Sequence, residues 1–276
     1  MEDFSQVFTK ASAPVVKFDK SLFNLDDKVA IVTGAGRGMG ESIAYGLANM
    51  GAIVISADID LASAQKTAEG ICAQGGKAIA KMIDIANEEI VEKFMDEIEE
   101  QFGHLDILVN NAAILDVGSR SFPEMTVAGF QRTINVNLVG TYICSRYAAI
   151  KMCKQNSGSI INIGSNASRA AILNMAWGSP AYAASKAAVH ALTRSMAQNV
   201  AKYNVRINCV APAAVDTPMH AHHRDWLINT YNTLVPLGRV SVADDIVGMV
   251  CFLATEAANF VTGQSIHVNG GILMAD

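Results

Sequence analysis

The 276-residue sequence lacks several features that would each indicate a different class of protein. No uncharged apolar run reaches the ~20 residues that a membrane-spanning helix requires, so we predict no membrane association. The 21 Lys and Arg residues are scattered and form no basic stripe, so we expect no nucleic-acid surface. No basic-then-apolar pattern follows Met1, and we therefore expect no secretory signal peptide.

Cysteine is also scarce, with five residues, an odd number, and no Cys-x-x-Cys pair. This usage argues against a disulfide framework and favours buried, reduced thiols in a cytoplasmic protein. The histidines His220, His222 and His223 form a cluster, but no acid or cysteine accompanies them at ligand spacing. We therefore predict no metal site.

Hydrophobic residues, in contrast, make up 51% of the chain. Short apolar runs predict buried strands at 29–32, 53–57, 78–82, 107–109, 160–163, 205–210 and 265–268. Helical spacing predicts helices at 38–50, 61–72, 88–102, about 124–154, near 180–202 and near 242–254. Buried strands that alternate with helices indicate an α/β fold, with a parallel sheet covered by helices on both faces. Residues 1–24 lack this pattern and are predicted to be an N-terminal extension of a single domain, 25–276.

A glycine-rich turn, Thr-Gly-Ala-Gly-Arg-Gly-Met-Gly at 33–40, separates the first predicted strand from the first predicted helix. Gly34 permits a tight turn, and Gly38 lets backbone N–H groups approach a pyrophosphate at the helix N-terminus. Gly40 lets the helix pack closely on the sheet. These positions predict a dinucleotide site, with Arg37 and Met39 in the same turn.

Asp58 follows the second predicted strand, 18 residues after Gly40. A carboxylate there can accept hydrogen bonds from the adenine ribose hydroxyls and would repel a 2′-phosphate. This position favours NAD over NADP. Arg37 is the competing signal, because a basic residue in the turn could attract a 2′-phosphate.

Tyr182 and Lys186 are four residues apart on a predicted helix and therefore lie on one face. The ammonium group of the lysine can lower the pKa of the phenol. A phenolate that is accessible near neutral pH can act as a general base toward an alcohol. Together with the dinucleotide site, this pair predicts redox chemistry at a carbinol carbon.

These motifs resemble, in order and over about residues 25–274, those of the short-chain dehydrogenase/reductase family. Two glycines of the family pattern are replaced, by Ala113 and Ala213, so the affinity for the cofactor is expected to shift slightly. The resembling segments are the turn 33–40, Asn-Asn-Ala-Ala at 110–113, the helix motif at Asn137, Ser165, Tyr-Ala-Ala-Ser-Lys at 182–186, Pro212 with Thr217, and Asn-Gly-Gly at 269–271.

The resemblance implies a Rossmann-like, doubly wound fold with a seven-stranded parallel sheet, in a homotetramer or homodimer. It implies that Tyr182 is the general acid/base, that Lys186 supports it, that Ser165 holds the substrate oxygen and that Asn137 positions a water. The cofactor contacts that it implies are Gly34, Arg37, Gly38, Met39, Gly40, Asp58, Asp84, Ile85, Asn111, Ala112, Tyr182, Lys186, Pro212, Val215 and Thr217.

The substrate is less well defined by the sequence. The interval between Ser165 and Tyr182 is longer than is usual in the family, and its segment 170–180 predicts an apolar pocket wall. Polyol or sugar substrates and cyclic or aryl alcohols both remain open. A second variable segment, 219–237, is expected to be a lid, in which a histidine could contact a polar substrate. The alternatives to a dehydrogenase are a non-catalytic NAD(H)-binding sensor and a lyase on the same fold.

Overall fold

The computed structural model of the chain describes residues 19–115, 124–169 and 179–274. Most of the predicted extension, 1–18, therefore lies outside the described residues, whereas Leu25 is buried in the core. The strands are β1 (Val29–Thr33), β2 (Ile53–Asp58), β3 (Lys77–Met82), β4 (Ile107–Asn110), β5 (Gly158–Ile163), β6 (Val205–Pro212), β7 (Val215–Asp216), β8 (Ser241–Val242) and β9 (Ser265–Val268).

The helices of the described chain connect these strands. The predicted helix at 124–154 corresponds to α4, a π-helical segment (Asn135–Gly140) and α5, which follow one another without a break. The helices are α1 (Gly38–Asn49), α2 (Leu61–Ala73), α3 (Glu88–Phe102), α4 (Val127–Ile134), α5 (Thr141–Gln155), α6 (Pro180–Val200), α7 (Arg224–Leu234) and α8 (Asp244–Ala254). No helix in these described ranges has both the length and the hydrophobicity that a membrane span requires.

Seven strands form one parallel sheet in the order β3-β2-β1-β4-β5-β6-β9. Because successive side chains of a strand point to opposite faces, Val29 and Ile31 join the hydrophobic core under α3, α5 and α6. Ala30 and Val32 join the core under α1 and α8. The prediction of a Rossmann-like α/β fold with helices on both faces is confirmed.

The strand order reverses between β1 and β4, and this reversal creates a crevice at the carboxyl ends of the two strands. In open parallel sheets, such a switch point is where ligands bind. The glycine-rich turn follows β1, and Asn111 and Ala112 follow β4, so the fold brings these predicted site residues to the crevice.

A second unit, formed by β7, β8 and α7, lies beyond the carboxyl end of β6. Val215 pairs with Ser241 in a two-stranded parallel ribbon. The chain between the two strands includes α7 and has its own hydrophobic cluster around Leu227 and Tyr231. The sequence indicated a lid here but neither the ribbon nor the helix, because strands of two residues show no periodicity.

Candidate active site

The turn after β1 depends on its glycines. Gly34 and Gly38 have φ values of +65° and +61°, in the left-handed region that favours glycine. A Cβ atom on Gly40 would lie 2.0 Å from the carbonyl oxygen of Gly34. This distance is a steric overlap with the backbone, so no residue with a side chain fits there. The turn therefore requires glycine at all three of the positions singled out in the sequence.

Asn111 and Thr33 hold this turn against the end of β4. Asn111 Nδ2 donates to the carbonyl oxygens of Thr33 and Gly34, both at 3.0 Å. Thr33 Oγ1 accepts the N–H groups of Asn111 at 3.1 Å and Ala112 at 3.2 Å. The Asn111 side chain thus shapes the glycine turn itself, a contribution that the sequence did not reveal.

The N-terminus of α1 fits an anionic group such as a pyrophosphate. Its N-cap residue, Arg37, is extended and exposed, and no side chain of the described residues caps this end of the helix. The first-turn N–H groups therefore remain available as donors. Gly38 faces the start of the lid, since a Cβ atom on it would lie 3.5 Å from atoms of Thr217 and Pro218.

Asp58 lies at the carboxyl end of β2, as predicted, and is fixed by two backbone groups. Its Oδ2 accepts the N–H of Gly36 at 2.9 Å and its Oδ1 accepts the N–H of Asp60 at 3.0 Å. A carboxylate has about four lone-pair sites, so this one can still accept hydroxyl groups. The residues thus fit the adenine ribose of a dinucleotide cofactor.

The other predicted cofactor contacts lie along the same edge of the sheet but differ in exposure. Ile85 packs against Gly140, where an added Cβ would lie 2.9 Å from its Cδ1. Asp84 accepts the N–H of Ala86 at 3.0 Å. Met39 packs against the core beneath α1, whereas Pro212 and Val215 are buried.

Tyr182 lies in the first turn of α6, and Lys186 lies one turn later. Ser179 caps the helix by accepting the N–H of Tyr182 at 3.3 Å. The Lys186 Nζ donates to the carbonyl oxygen of Ile163 at 2.6 Å and lies 5.7 Å from the centroid of the Tyr182 ring. The predicted pair therefore shares one face and points toward the end of β5.

Burial controls the protonation of this pair. It raises the pKa of Tyr182, while a hydrogen bond with Ser165 acts in the opposite direction. It lowers the pKa of Lys186 to about 8. The lowered phenol pKa expected from the sequence is thus not what the protein alone shows, because the loss of solvation outweighs the hydrogen bond with Ser165.

Ser165 interacts with Tyr182 from the turn after β5, and Asn137 contacts α6 at Ser185, between the two residues of the pair. Ser165 begins a short 3-10 turn (Asn166–Ser168), and its Oγ accepts the N–H of Ala167 at 3.1 Å. Asn137 Nδ2 donates to the Ile114 carbonyl at 2.9 Å and to Ser185 Oγ at 3.2 Å, and its Oδ1 accepts the Ile114 N–H at 2.8 Å. Asn137 therefore fastens the segment after β4 to α6.

The substrate side is only partly described. Residues 170–178 of the predicted pocket wall, 170–180, lie outside the described residues. In the lid, His220 Nδ1 lies 3.1 Å from His223 Nε2, and burial lowers the pKa of His220 to about 4. Within the described ranges, no group of three or more His, Cys, Asp or Glu side chains could hold a metal ion.

An ion pair at the base of the lid was missed by the sequence reasoning. Arg224 donates from Nε to Asp216 Oδ1 at 2.8 Å and from Nη2 to Oδ2 at 2.6 Å. The two residues are eight apart across a 3-10 turn, a spacing that no regular element predicts. The ion pair joins the two ends of the segment that carries Thr217. It therefore holds this segment in place over the glycine turn.

Comparison with known proteins agrees with this geometry. The family model described as enoyl-(acyl carrier protein) reductase matches residues 34–273. The chain belongs to the short-chain dehydrogenase/reductase family. The family prediction is confirmed, and the coarse activity follows: this dehydrogenase/reductase is an oxidoreductase whose relatives act on alcohol or carbonyl groups with nicotinamide cofactors.

Similar proteins cover nearly the whole chain. The meso-2,3-butanediol dehydrogenase of Serratia marcescens is 35% identical over 91% of this chain and 96% of its own. A short-chain dehydrogenase/reductase structure from Mycobacterium marinum has a TM-score of 0.87 at 31% identity, covering 92% of this chain and 99% of that one. A gluconate 5-dehydrogenase from Burkholderia cenocepacia J2315, in complex with NADP and tartrate, has a TM-score of 0.83 at 33% identity, covering 93% and 99%.

Proposed function

We propose that this protein is an NAD(H)-dependent dehydrogenase that interconverts a secondary alcohol and a ketone. The observation that carries the proposal is the meeting of Ser165, Tyr182 and Lys186 at the carboxyl end of β5, on the sheet edge that also bears the glycine turn. One edge of the sheet thereby offers both a proton-transfer group and a dinucleotide cradle. The domain boundary at residue 25 and a cytoplasmic location remain part of the proposal.

Each residue has a separate role in the proposed reaction. Ser165 donates a hydrogen bond to the substrate oxygen. In oxidation, the Tyr182 oxygen takes the hydroxyl proton while the carbinol carbon loses a hydride, and in reduction Tyr182 returns that proton. The bound nicotinamide supplies the hydride acceptor or donor. Lys186, with a pKa of about 8, can exchange a proton near neutral pH, and Asn137 is proposed to position a water beside it.

The preference for NAD rests on Asp58, which presents a fixed carboxylate where the adenine ribose is expected. Arg37, exposed in the adjacent turn, remains the competing group, and the similar gluconate 5-dehydrogenase was solved with NADP. Titration of both reduced cofactors tests this point. Tighter binding of NADPH than NADH would contradict the NAD assignment and leave the dehydrogenase proposal in place.

The substrate class is proposed to be a polyol or sugar, or a cyclic or aryl alcohol. Relatives named for butanediol and gluconate support the first group. The apolar residues Ile172, Leu173 and Trp177, predicted to line the pocket, support the second. A panel of polyols, sugar alcohols, cyclic and aryl secondary alcohols and hydroxy acids, assayed with each cofactor, distinguishes them by the absorbance of reduced nicotinamide.

The decisive control for this assay is Tyr182→Phe. It should abolish turnover while NADH binding stays nearly unchanged, because only the acid/base oxygen is removed. Full turnover in the variant would contradict the mechanism. Tight NADH binding without turnover of any alcohol would instead support the non-catalytic sensor.

A further inference from the structure

The turn that follows β5 carries Ser165 and must hold its hydroxyl group in place. It comprises residues 164–169, and Ser165 Oγ caps it through the N–H of Ala167. Lys186 binds the carbonyl oxygen of Ile163 immediately before this turn. The position of Ser165 therefore depends on what fixes the remainder of the turn, Asn166 to Arg169.

His190 contacts this remainder from α6. It lies one helical turn after Lys186, so Tyr182, Lys186 and His190 form a single row on the helix. His190 Nε2 is hydrogen-bonded to Ser168 Oγ at 3.2 Å. The packing is close, because a Cβ atom on Gly164 would lie 2.5 Å from the same Nε2 atom.

His267 contacts the turn from β9. Its Nδ1 lies 2.7 Å from Asn166 Oδ1, and because an amide oxygen only accepts, Nδ1 carries the hydrogen. Asn166 is 2% exposed, and its Nδ2 has no partner among the described residues. The side chain of Asn166 is therefore held through its oxygen, by His267.

The surroundings keep His190 neutral. Burial lowers its pKa to about 4, and the basic groups that lower it further are His267 from β9, when protonated, Arg169 from the turn, and Arg194 and Lys186 from α6 itself. The buried thiol of Cys209, on β6, also packs against Gly164, since a Cβ atom there would lie 2.6 Å from its Sγ. Burial also lowers the pKa of His267. Both rings thus serve as uncharged hydrogen-bonding groups near neutral pH.

We propose that His190 and His267 are positioning residues that fix the Ser165 turn, through Ser168 and Asn166 respectively, and thereby hold the Ser165 hydroxyl at the substrate oxygen. The inference rests on the proposed function of Ser165. Neither histidine touches the reacting atoms, and each acts through a different residue of the turn and from a different element of the fold.

His190 forms its hydrogen bond through Nε2, and His267 forms its hydrogen bond through Nδ1. Amide side chains of different length can therefore test the two contacts separately. A glutamine amide reaches the position of an imidazole Nε2, whereas an asparagine amide reaches that of Nδ1. We expect His190→Leu and His267→Leu to lower kcat about tenfold to a hundredfold, the scale of a small misplacement. His190→Gln and His267→Asn should restore most of this activity, and His190→Asn and His267→Gln should not. Equal activity of the two amides at each position would overturn the proposal.

A double-mutant cycle with Ser165→Ala tests the route of the effect. If the histidines act through Ser165, His190→Leu should lower kcat little further when Ser165 is already alanine. Additive losses would overturn the proposal. His104→Gln, a change in a histidine outside this network, is the matched control, and NADH affinity should remain within about twofold in every variant because no cofactor contact changes.

The cycle is run with the alcohol of the panel that gives the highest kcat/KM. A readout without substrate is the ¹³Cζ resonance of Tyr182, identified by its loss in Tyr182→Phe, because the interaction with Ser165 acts on the pKa of the Tyr182 phenol. His190→Leu and His267→Leu should shift it in the direction of Ser165→Ala, and an unmoved resonance would overturn the inference. Activity lost in Ser165→Ala but kept in both leucine variants would overturn the inference alone. Activity kept in both Ser165→Ala and Tyr182→Phe would overturn the proposed function as well.

Discussion

The carboxylate of Asp58 accepts a hydrogen bond from the backbone of the glycine turn. In the proposed complex, it also faces the adenine ribose of the cofactor. A unit charge at about 4 Å from a phosphate is worth on the order of 4 kcal/mol near a protein surface, before screening by salt. The proposed preference for NAD over NADP therefore rests mainly on the charge of Asp58, whereas its hydrogen bonds to Gly36 and Asp60 are expected to affect both cofactors equally.

We predict that Asp58→Asn raises the affinity for NADPH relative to NADH by about tenfold to a hundredfold, because it removes the repulsion of the 2′-phosphate. The ratio of the two dissociation constants, measured by nicotinamide fluorescence, cancels any general loosening of the turn. Asp60→Asn makes the same change of charge two residues away, at the cap of α2, and should leave the ratio nearly constant. An unchanged ratio in Asp58→Asn would contradict the assignment of the NAD preference to the charge of Asp58.

His190 gives a residue-level prediction for stability. Its pKa is about 4 in the folded protein and ~6.5 when unfolded, so the unfolded chain binds more protons between these values. Stability should therefore fall as the pH falls through this window, by about 2 kcal/mol from this residue between pH 7 and pH 4.5. His190→Gln should remove this part of the loss of stability, measured by urea unfolding at several pH values, whereas His222→Gln, at an exposed position, should not. An identical pH dependence of the free energy of unfolding in the parent protein and both variants would contradict the prediction.

The residues of the site were predicted more completely than their interactions. Ser165, Tyr182 and Lys186 were found from spacing and resemblance, and the fold brings them together. The sequence did not show that the pKa of Tyr182 is raised, because the burial of a side chain depends on the fold around it. His190 follows Lys186 by four residues, which was the one available signal for its place beside the turn.

Elements with strong periodicity were predicted within a few residues, and weak ones were missed. The buried strands and the helices between them follow from apolar runs and helical spacing. The ribbon of β7 and β8 has two residues per strand, and α7 begins directly after a 3-10 turn. Neither therefore has a hydrophobic pattern long enough to predict the element from the sequence. The unpredicted elements are those that form the lid.

The packing of α1 against α8 gives a prediction at the level of elements. A Cβ atom on Gly46 would lie 2.2 Å from Val247 Cγ1, whereas one on Gly248 would meet nothing within 4 Å among the described residues. Gly46→Ala should lower the free energy of unfolding by about 1–3 kcal/mol through overpacking. Gly248→Ala should raise it by about 0.5–1 kcal/mol through backbone entropy.

Thermal or urea unfolding of both variants measures the difference. Since the two substitutions are chemically identical and both lie in helices, helix propensity alone would make both stabilising. That result would contradict the close contact of α1 and α8. Val247→Ala, added to Gly46→Ala, should recover part of the loss because it removes the opposing methyl group.

The whole molecule was predictable in its layers but not in all of its surfaces. Alternating buried strands and helices require a sheet covered on two faces, whatever the details of its loops. What the sequence could not show is which apolar residues stay outside the cores. In the structure, Val139, Tyr142 and Ile150 are exposed along one row of the π-helical segment and α5, with Phe130 exposed on α4.

This exposed row supports the proposed homodimer or homotetramer. Burial of one large apolar side chain contributes about 1.5–3 kcal/mol, and a second copy of the chain presents the same row. We therefore predict that light scattering after gel filtration gives two or four times the mass of one chain. Ile150→Glu should reduce this mass, since a charge would be buried in the interface.

The matched control is Ile59→Glu, the same change at an exposed isoleucine between β2 and α2. It should leave the mass unchanged, because that surface lies at the cofactor end of the sheet. A monomeric parent protein would contradict the prediction outright. An oligomer that survives Ile150→Glu would place the interface elsewhere, and the apolar row on α5 would then require a different explanation from self-association.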